Sequence, residues 1–180
     1  ELITNDKVIF KKGDITNYSF LEKIFIQNQI SGIIHFAALK SIPESYRDPK
    51  KFYKTNVGGT ENLLRLCKKY YCNYFIFSSS AAVYSNKNKL PFKETSKIKG
   101  SNPYSLTKLK SEKKIIQYAK KNKHFRYVIL RYFNPVGSEK NTMIGEFPKK
   151  TMGNLMPEIC KVAAKKKKYL KIFGNDYNTH

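Results

Sequence analysis

Residues 74–80 read Tyr74-Phe75-Ile76-Phe77-Ser78-Ser79-Ser80, four apolar residues running into three hydroxyls. A short aromatic and β-branched run of this kind predicts a buried strand, Tyr74–Phe77, whose carboxyl end opens onto the serines. Just before it, Phe52 to Tyr70 carries Leu63, Leu64, Leu66 and Cys67 at helical spacing. Just after it, a polar loop from Lys87 to Asn102 leads to a helix over Tyr104–Lys121, with Pro103 where a first turn tolerates it. Gly32–Phe36 predicts another buried strand, and Arg126–Tyr132 a further one. Outward again lie a strand at Lys7–Phe10, a helix over Tyr18–Gln29 with Phe20, Leu21, Ile24 and Phe25 on one face, a helix over Asn154–Lys167 and a last strand at Tyr169–Phe173. Strands and helices alternate with no hairpin signal between them, which means βαβ units and a parallel sheet. Ligands of such sheets sit at the carboxyl ends of the strands. The polar words fall there: Gly13-Asp14-Ile15, Ala37-Ala38-Leu39-Lys40, Ser78-Ser79-Ser80 and Phe133-Asn134-Pro135.

The chain has 180 residues, 41% of them hydrophobic, enough for one core and against global disorder. Its formal charge is +22, which raises a nucleic-acid partner as an alternative. Against that, only four of the 35 cations are Arg (Arg47, Arg65, Arg126, Arg131), and Arg is the residue whose planar fork reads bases and phosphates. The Lys are spread from Lys7 to Lys171, and clusters such as Lys120-Lys121 and Lys165–Lys168 end amphipathic segments, where cations suit the helix dipole. We read them as solvated faces. The longest near-apolar stretch, Ile33–Leu39, is far too short to cross a bilayer, so no membrane partner is expected. The chain begins at Glu1 and shows no signal segment. His35 has no accompanying His, Cys or Glu cluster and reads as a core histidine; Cys67 and Cys72 lack a second pair and read as buried thiols, so no metal site is expected.

Tyr104 and Lys108 are spaced i, i+4 and share a helix face. A free phenol has a pKa of about 10 and is a poor base at neutral pH; a fixed ammonium beside it favours the phenolate. Reaching about 7 takes roughly 4 kcal/mol, within reach of a desolvated pair helped by a bound cationic ring. Alone, the spacing is equally that of a surface pair in a Lys-rich helix. Ser80, at the end of the preceding strand, adds a hydroxyl able to bridge Tyr104 and a substrate hydroxyl.

Ser80 with Tyr104-Ser105-Leu106-Thr107-Lys108 resembles the Ser-Tyr-Lys triad of the extended short-chain dehydrogenases. Five longer words, in order, resemble the UDP-glucose 4-epimerase family within that group: Ile34–Lys40, Phe75–Ala81, Leu130–Gly137, Asn154–Pro157 and Ile172–Tyr177. The resemblance implies a Rossmann-like, doubly wound α/β parallel sheet. It implies a partial NAD-binding domain over 1–150 and the start of a UDP-sugar region over 151–180. It implies NAD as cofactor, UDP-glucose and UDP-galactose as substrates, a cytoplasmic enzyme and a homodimer. Position by position, Asp14 and Ile15 match the adenine contact, and Phe36, Ala37, Ala38 and Lys40 the loop along the pyrophosphate and ribose. Asn56 matches a conformation-holding cofactor contact and Phe133 a nicotinamide contact. Ser80, Tyr104 and Lys108 match the catalytic triad, with Tyr104 as proton acceptor. Asn134, Asn154 and Leu155 match the sugar-nucleotide contacts, and Lys171-Ile172-Phe173 the uracil side.

Related 4,6-dehydratases carry an Asp-Glu pair just after the Ser word; here that place holds Ala81-Ala82. Ala82 also replaces a usual small hydroxyl near the sugar, Ala38 a frequent Gly, and Ser85 a usual Gly, while Pro43 interrupts the loop after Lys40. No Gly-x-x-Gly-x-x-Gly loop appears, and Gly58-Gly59 lies inside a helix. The resemblance therefore places these residues as strands 3 to 7 of the family order, with strands 1 and 2 missing. The segment is expected to be inactive by itself, the alternative to an epimerase being an inactive fragment or a basic nucleic-acid-binding protein.

Overall fold

The computed structural model describes residues 8–137, 155–172 and 174. The chain divides into two compact units, Glu1–Phe133 and Asn134–His180.

The first unit holds a three-stranded parallel sheet of β1 (Gly32–His35), β2 (Tyr74–Ser80) and β3 (Arg126–Tyr132), in that order. The register sets Ile34 opposite Ile76 and Ile76 opposite Val128. The crossovers are helical. The first runs through α2 (Ile42–Arg47), α3 (Pro49–Phe52), a π-helical segment (Tyr53–Gly58) and α4 (Gly59–Tyr70); the second is α5 (Pro103–Lys121). α1 (Tyr18–Gln27) precedes β1, and its first turn is capped by Asn17, whose side chain accepts from the Phe20 N–H at 3.0 Å. Tyr71 ends α4 in the left-handed region.

One face of the sheet is covered. Phe75 and Phe77 of β2 are buried with Leu63, Leu64, Leu66 and Cys67 of α4, Ile115 of α5, Phe25 of α1 and Phe125. Gly59 is what lets Ile15 reach this layer, because a Cβ there would lie 2.8 Å from Ile15 Cγ2. The other face is bare: Ile34 is 64% and Val128 51% exposed.

The α/β class, the parallel sheet and the strand at Arg126–Tyr132 follow the sequence expectation. Three elements do not. Val8–Phe10 forms no strand, and Phe10 is 82% exposed; residues 169–172 form none either. A strand exists only by pairing, and among the described residues no neighbour offers either segment a ladder. So three of the five expected strands are present. The Gly32–Phe36 strand was expected to be buried; only His35 is, because β1 is an edge covered on one face. Pro43, which reads as interrupting the loop after Lys40, instead lies in the first turn of α2, and Pro49 starts α3 in the same way, at positions where proline loses no hydrogen bond.

The second unit contributes α6 (Leu155–Ala163), where Glu158 pairs with Lys161 at 2.8 Å and with Lys167. Among the described residues no helix is long and apolar enough to cross a membrane.

Candidate active site

The sequence fixes the phase of α5 at its first turn. The Asn102 side chain accepts from the Ser105 N–H at 2.8 Å, and Ser105 Oγ accepts from the Asn102 N–H at 3.1 Å, a reciprocal capping box ahead of Pro103. Tyr104, Lys108 and Glu112 then stack at i, i+4 and i+8 on one face. The last three residues of β2 meet them in turn. The Ser80 hydroxyl faces the Tyr104 phenol. The Ser78 carbonyl accepts from Lys108 Nζ at 2.6 Å. The Ser79 hydroxyl donates to Glu112. Glu112, 1% exposed, also takes a bidentate pair from Arg131 of β3, Nε at 3.1 Å and Nη2 at 2.8 Å.

Burial governs the protonation of this row. Lys108 is 4% exposed, and its ammonium pKa is drawn down to about 8 by desolvation, with Glu112 pulling the other way. Tyr104 was expected to be drawn down by that ammonium. Instead burial raises the phenol above its ordinary value, and only the neighbouring Ser80 hydroxyl opposes it. The reason is geometric. The Lys108 ammonium is committed to the Ser78 carbonyl and lies 6.0 Å from the Tyr104 ring centre, nearer the Phe77 ring at 5.0 Å. In the chain by itself Tyr104 is protonated at neutral pH.

The loop after β1 is held by Asn56, which the π-helical segment carries inward. Its Oδ1 accepts from the Leu39 N–H at 2.8 Å, and its Nδ2 donates to the Leu39 carbonyl and to Thr107 Oγ1, both at 3.0 Å. The Thr107 hydroxyl in turn donates to the Tyr104 carbonyl at 2.7 Å. Loop, π segment and the first turn of α5 are thereby one hydrogen-bonded chain. Behind it, Thr60 Oγ1 donates to the Asn56 carbonyl at 2.7 Å and meets His35 Nε2 at 3.1 Å. Burial, then the Lys108 charge, lowers the His35 pKa to about 4, so this histidine is a neutral core residue.

The structure thus brings Ser80, Tyr104, Lys108 and Asn56 together with the loop that carries Phe36, Ala37, Ala38 and Lys40; Phe36 and Lys40 are exposed. Asp14 is exposed and accepts from the Thr16 N–H at 2.8 Å, while Ile15 packs toward the core and is tied to α4 through Asn62. Phe133 is 63% exposed at the end of β3, its ring 6.4 Å from that of Tyr84. In the second unit, Asn134, Leu155 and Lys171 are exposed; Asn154 and Phe173 lie outside the described residues. Sequence reading missed Glu112, Arg131, Ser79 and Thr107. Glu112 had a signal, being one further helical step beyond Tyr104 and Lys108. A concavity of about 520 Å³ between α4 and α5, lined by Lys54, Arg65 and Lys114 among others, contains none of the site residues.

The sequence profile of the NAD dependent epimerase/dehydratase family matches residues 2–179. The chain is 43% identical over 179 residues to the UDP-glucose 4-epimerase of Pasteurella multocida (strain Pm70), covering 99% of this chain and 53% of that protein. To the UDP-glucose 4-epimerase of Caenorhabditis elegans it is 42% identical over 179 residues, covering 98% and 51%. Its fold superposes on the crystal structure of UDP-glucose 4-epimerase from Bifidobacterium longum in complex with NAD+ and UDP with a TM-score of 0.91 at 37% identity, covering 99% of this chain and 53% of that one. The chain therefore spans about half the length of the relatives it matches. With the profile running along nearly all of its length and the Ser-Tyr-Lys row in place at the sheet end, this chain belongs to the NAD dependent epimerase/dehydratase family.

Proposed function

We propose that the whole protein is an NAD-dependent UDP-glucose 4-epimerase, interconverting UDP-glucose and UDP-galactose at C4 of the sugar. The observation that carries this reading is the convergence of Ser80, Tyr104 and Lys108 at the carboxyl end of β2, in a chain 43% identical to the Pasteurella multocida enzyme. The residues suit a dinucleotide. The exposed Asp14 carboxylate, held below its ordinary range by the Thr16 N–H, is an acceptor for an adenine amino group. The main chain of Phe36–Lys40, braced at Leu39 by Asn56, offers peptide groups and the Lys40 cation to the phosphates and ribose. Phe133 presents an open ring for the nicotinamide side. When bound, NAD accepts a hydride from sugar C4 and later returns it.

The chain's own part is proton chemistry and orientation. Tyr104 takes the proton of the 4-OH as the hydride leaves C4, and gives it back as hydride returns to the other face of the 4-keto sugar. Ser80 bridges the phenol and the substrate oxygen. Because burial raises the phenol, Tyr104 accepts that proton near neutral pH only with positive charge beside it; Lys108 gives part, and the cationic ring the rest. Asn134, Asn154 and Leu155 would line the sugar nucleotide, with Lys171 and Phe173 toward the uracil. This assigns 1–150 to the dinucleotide and 151–180 to the start of the sugar region. The absence of acids at Ala81-Ala82 fits epimerisation without loss of water.

By the same resemblance the enzyme is a cytoplasmic homodimer that engages neither nucleic acid nor membrane. The test is the whole protein with UDP-galactose, conversion being read through a coupled UDP-glucose dehydrogenase. Steady formation of UDP-glucose is expected; none, from folded protein supplied with NAD, overturns the reading. Sedimentation at a single-subunit mass would remove the homodimer.

A further inference from the structure

Three successive residues of β2 meet three successive positions on one face of α5: the Ser80 hydroxyl faces Tyr104, the Ser78 carbonyl holds Lys108, and Ser79 holds Glu112. The first two contacts belong to the catalytic row already described. The third does not touch it. Glu112 lies one helical step below Lys108, spends both carboxylate oxygens on Ser79 and Arg131, and forms no ion pair with Lys108. A carboxylate 1% exposed is costly unless paired, and a bidentate Arg131 bond supplies the pairing. Mere cement would be served as well by apolar side chains of the same volume. Beyond its Arg131 partner, the buried Lys108 ammonium one helical step away is the group on which this charge acts.

We propose that Glu112 is a positioning residue, locked by Ser79 and Arg131 so that its charge keeps the Lys108 ammonium protonated and hung on the Ser78 carbonyl beneath Tyr104. Among the described residues, every element packed around Lys108 leaves that job to Glu112. On α5 the only other titratable neighbour is Tyr104, a neutral phenol. β1 presents His35, neutral because it is buried. β2 presents the Phe77 ring and the Ser78 carbonyl. The π segment and α4 bring Asn56 and Thr60, both uncharged. β3 brings Arg131, which opposes the effect and is neutralised by the same Glu112. A charge one helical step away, about 6 Å, acting at an effective dielectric of about 20, is worth about a hundredfold change in the ammonium's dissociation constant, and the opposing Arg131 charge leaves the pair with a net effect of about tenfold.

The inference leans on the proposed function only for its consequence in turnover, so its test does not use the reaction. In the whole protein labelled with ¹³Cε-lysine, without added dinucleotide, one lysine should titrate well below the others, and its signal should vanish in Lys108→Arg. Glu112→Gln keeps the shape but leaves Arg131 unopposed, so it should move that midpoint down by about two pH units, while Glu112→Asp restores most of it. A folded Glu112→Gln protein with an unmoved midpoint overturns the proposal. Should Glu112→Gln fail to fold, the paired apolar variant Glu112→Met with Arg131→Leu takes its place. With both charges gone, a downward move of about one pH unit in that protein supports the proposal. An unmoved midpoint, or failure of this variant to fold as well, assigns Glu112 to structure alone and overturns it. A shifted midpoint in a protein without epimerase activity would leave this inference standing while the functional reading falls.

Discussion

Asn56 is the residue whose loss should unfasten the loop after β1 without touching the catalytic groups. Its amide makes three hydrogen bonds from a site 2% exposed, two to the main chain of Leu39 and one to Thr107. Thr107 has already given its proton to the Tyr104 carbonyl, so it can only accept from Asn56. An aspartate there would set one oxygen, in place of Nδ2, against both the Leu39 carbonyl and Thr107 Oγ1, so Asn56→Asp is no conservative change. For Asn56→Ala, three bonds at about 1 kcal/mol each amount to about 3 kcal/mol, and orphaned partners add to that rather than subtract. Two of the three bonds fall on Leu39. Opening of that peptide should become easier by about 2 kcal/mol, which is roughly 30-fold faster amide exchange at Leu39. Native-state hydrogen exchange on the folded variant reads this directly, and Leu63 on α4 serves as the internal control. Unchanged protection at Leu39, with the variant folded, would refute the view that Asn56 holds the loop.

Tyr104→Phe in the whole protein should cut turnover by at least about 100-fold, measured as UDP-galactose conversion; retained turnover removes Tyr104 as the proton acceptor. Lys108→Met should lower turnover and dinucleotide retention together, with a rate that recovers as pH rises and Tyr104 ionises unaided; a pH-rate profile identical to the parent's would show that Lys108 does not govern the phenol. His35, depressed in the folded state to about 4 from an ordinary 6.5, should make stability fall as pH drops through 6.5 toward 4, by up to about 3 kcal/mol, because the unfolded chain takes the proton first. Urea unfolding midpoints across that window should flatten in His35→Gln, and an equal slope in both proteins would sink the assignment.

The sequence made some of this legible and hid the rest for physical reasons. β3 and the core face of α4 were plain because aliphatic periodicity is a local property of residues such as Ile129, Leu63 and Leu66. The shared face of Tyr104 and Lys108 was legible for the same reason, but that spacing alone fits a surface pair equally, and the role proposed for it comes from the resemblance. Val8–Phe10 looks like a strand and is not one, because pairing depends on a partner elsewhere in the fold. The Asn56–Thr107 bond joins residues 51 apart, and nothing in either local stretch announces it. The raised phenol of Tyr104 was hidden too, because desolvation is set by packing and the Lys108 ammonium's direction by the Ser78 carbonyl.

The π-helical segment at Tyr53–Gly58 carries a consequence for how this stretch can change in length. A π turn holds one residue more than the α turn it replaces. Losing any single residue from 53–58 would let the turn relax to α geometry. Phe52, 2% exposed, and α4 would keep their facing, because an α turn closes the same circuit with one residue fewer. Within the turn the residues would be re-spaced, and Asn56, which the π geometry carries inward, would lose its place against Leu39 and Thr107. Substitutions here trade contacts one at a time, whereas a single-codon deletion would uncouple the loop from the helix in one step and leave the core packed. Within this chain the extra residue of the π turn serves the loop and not the fold.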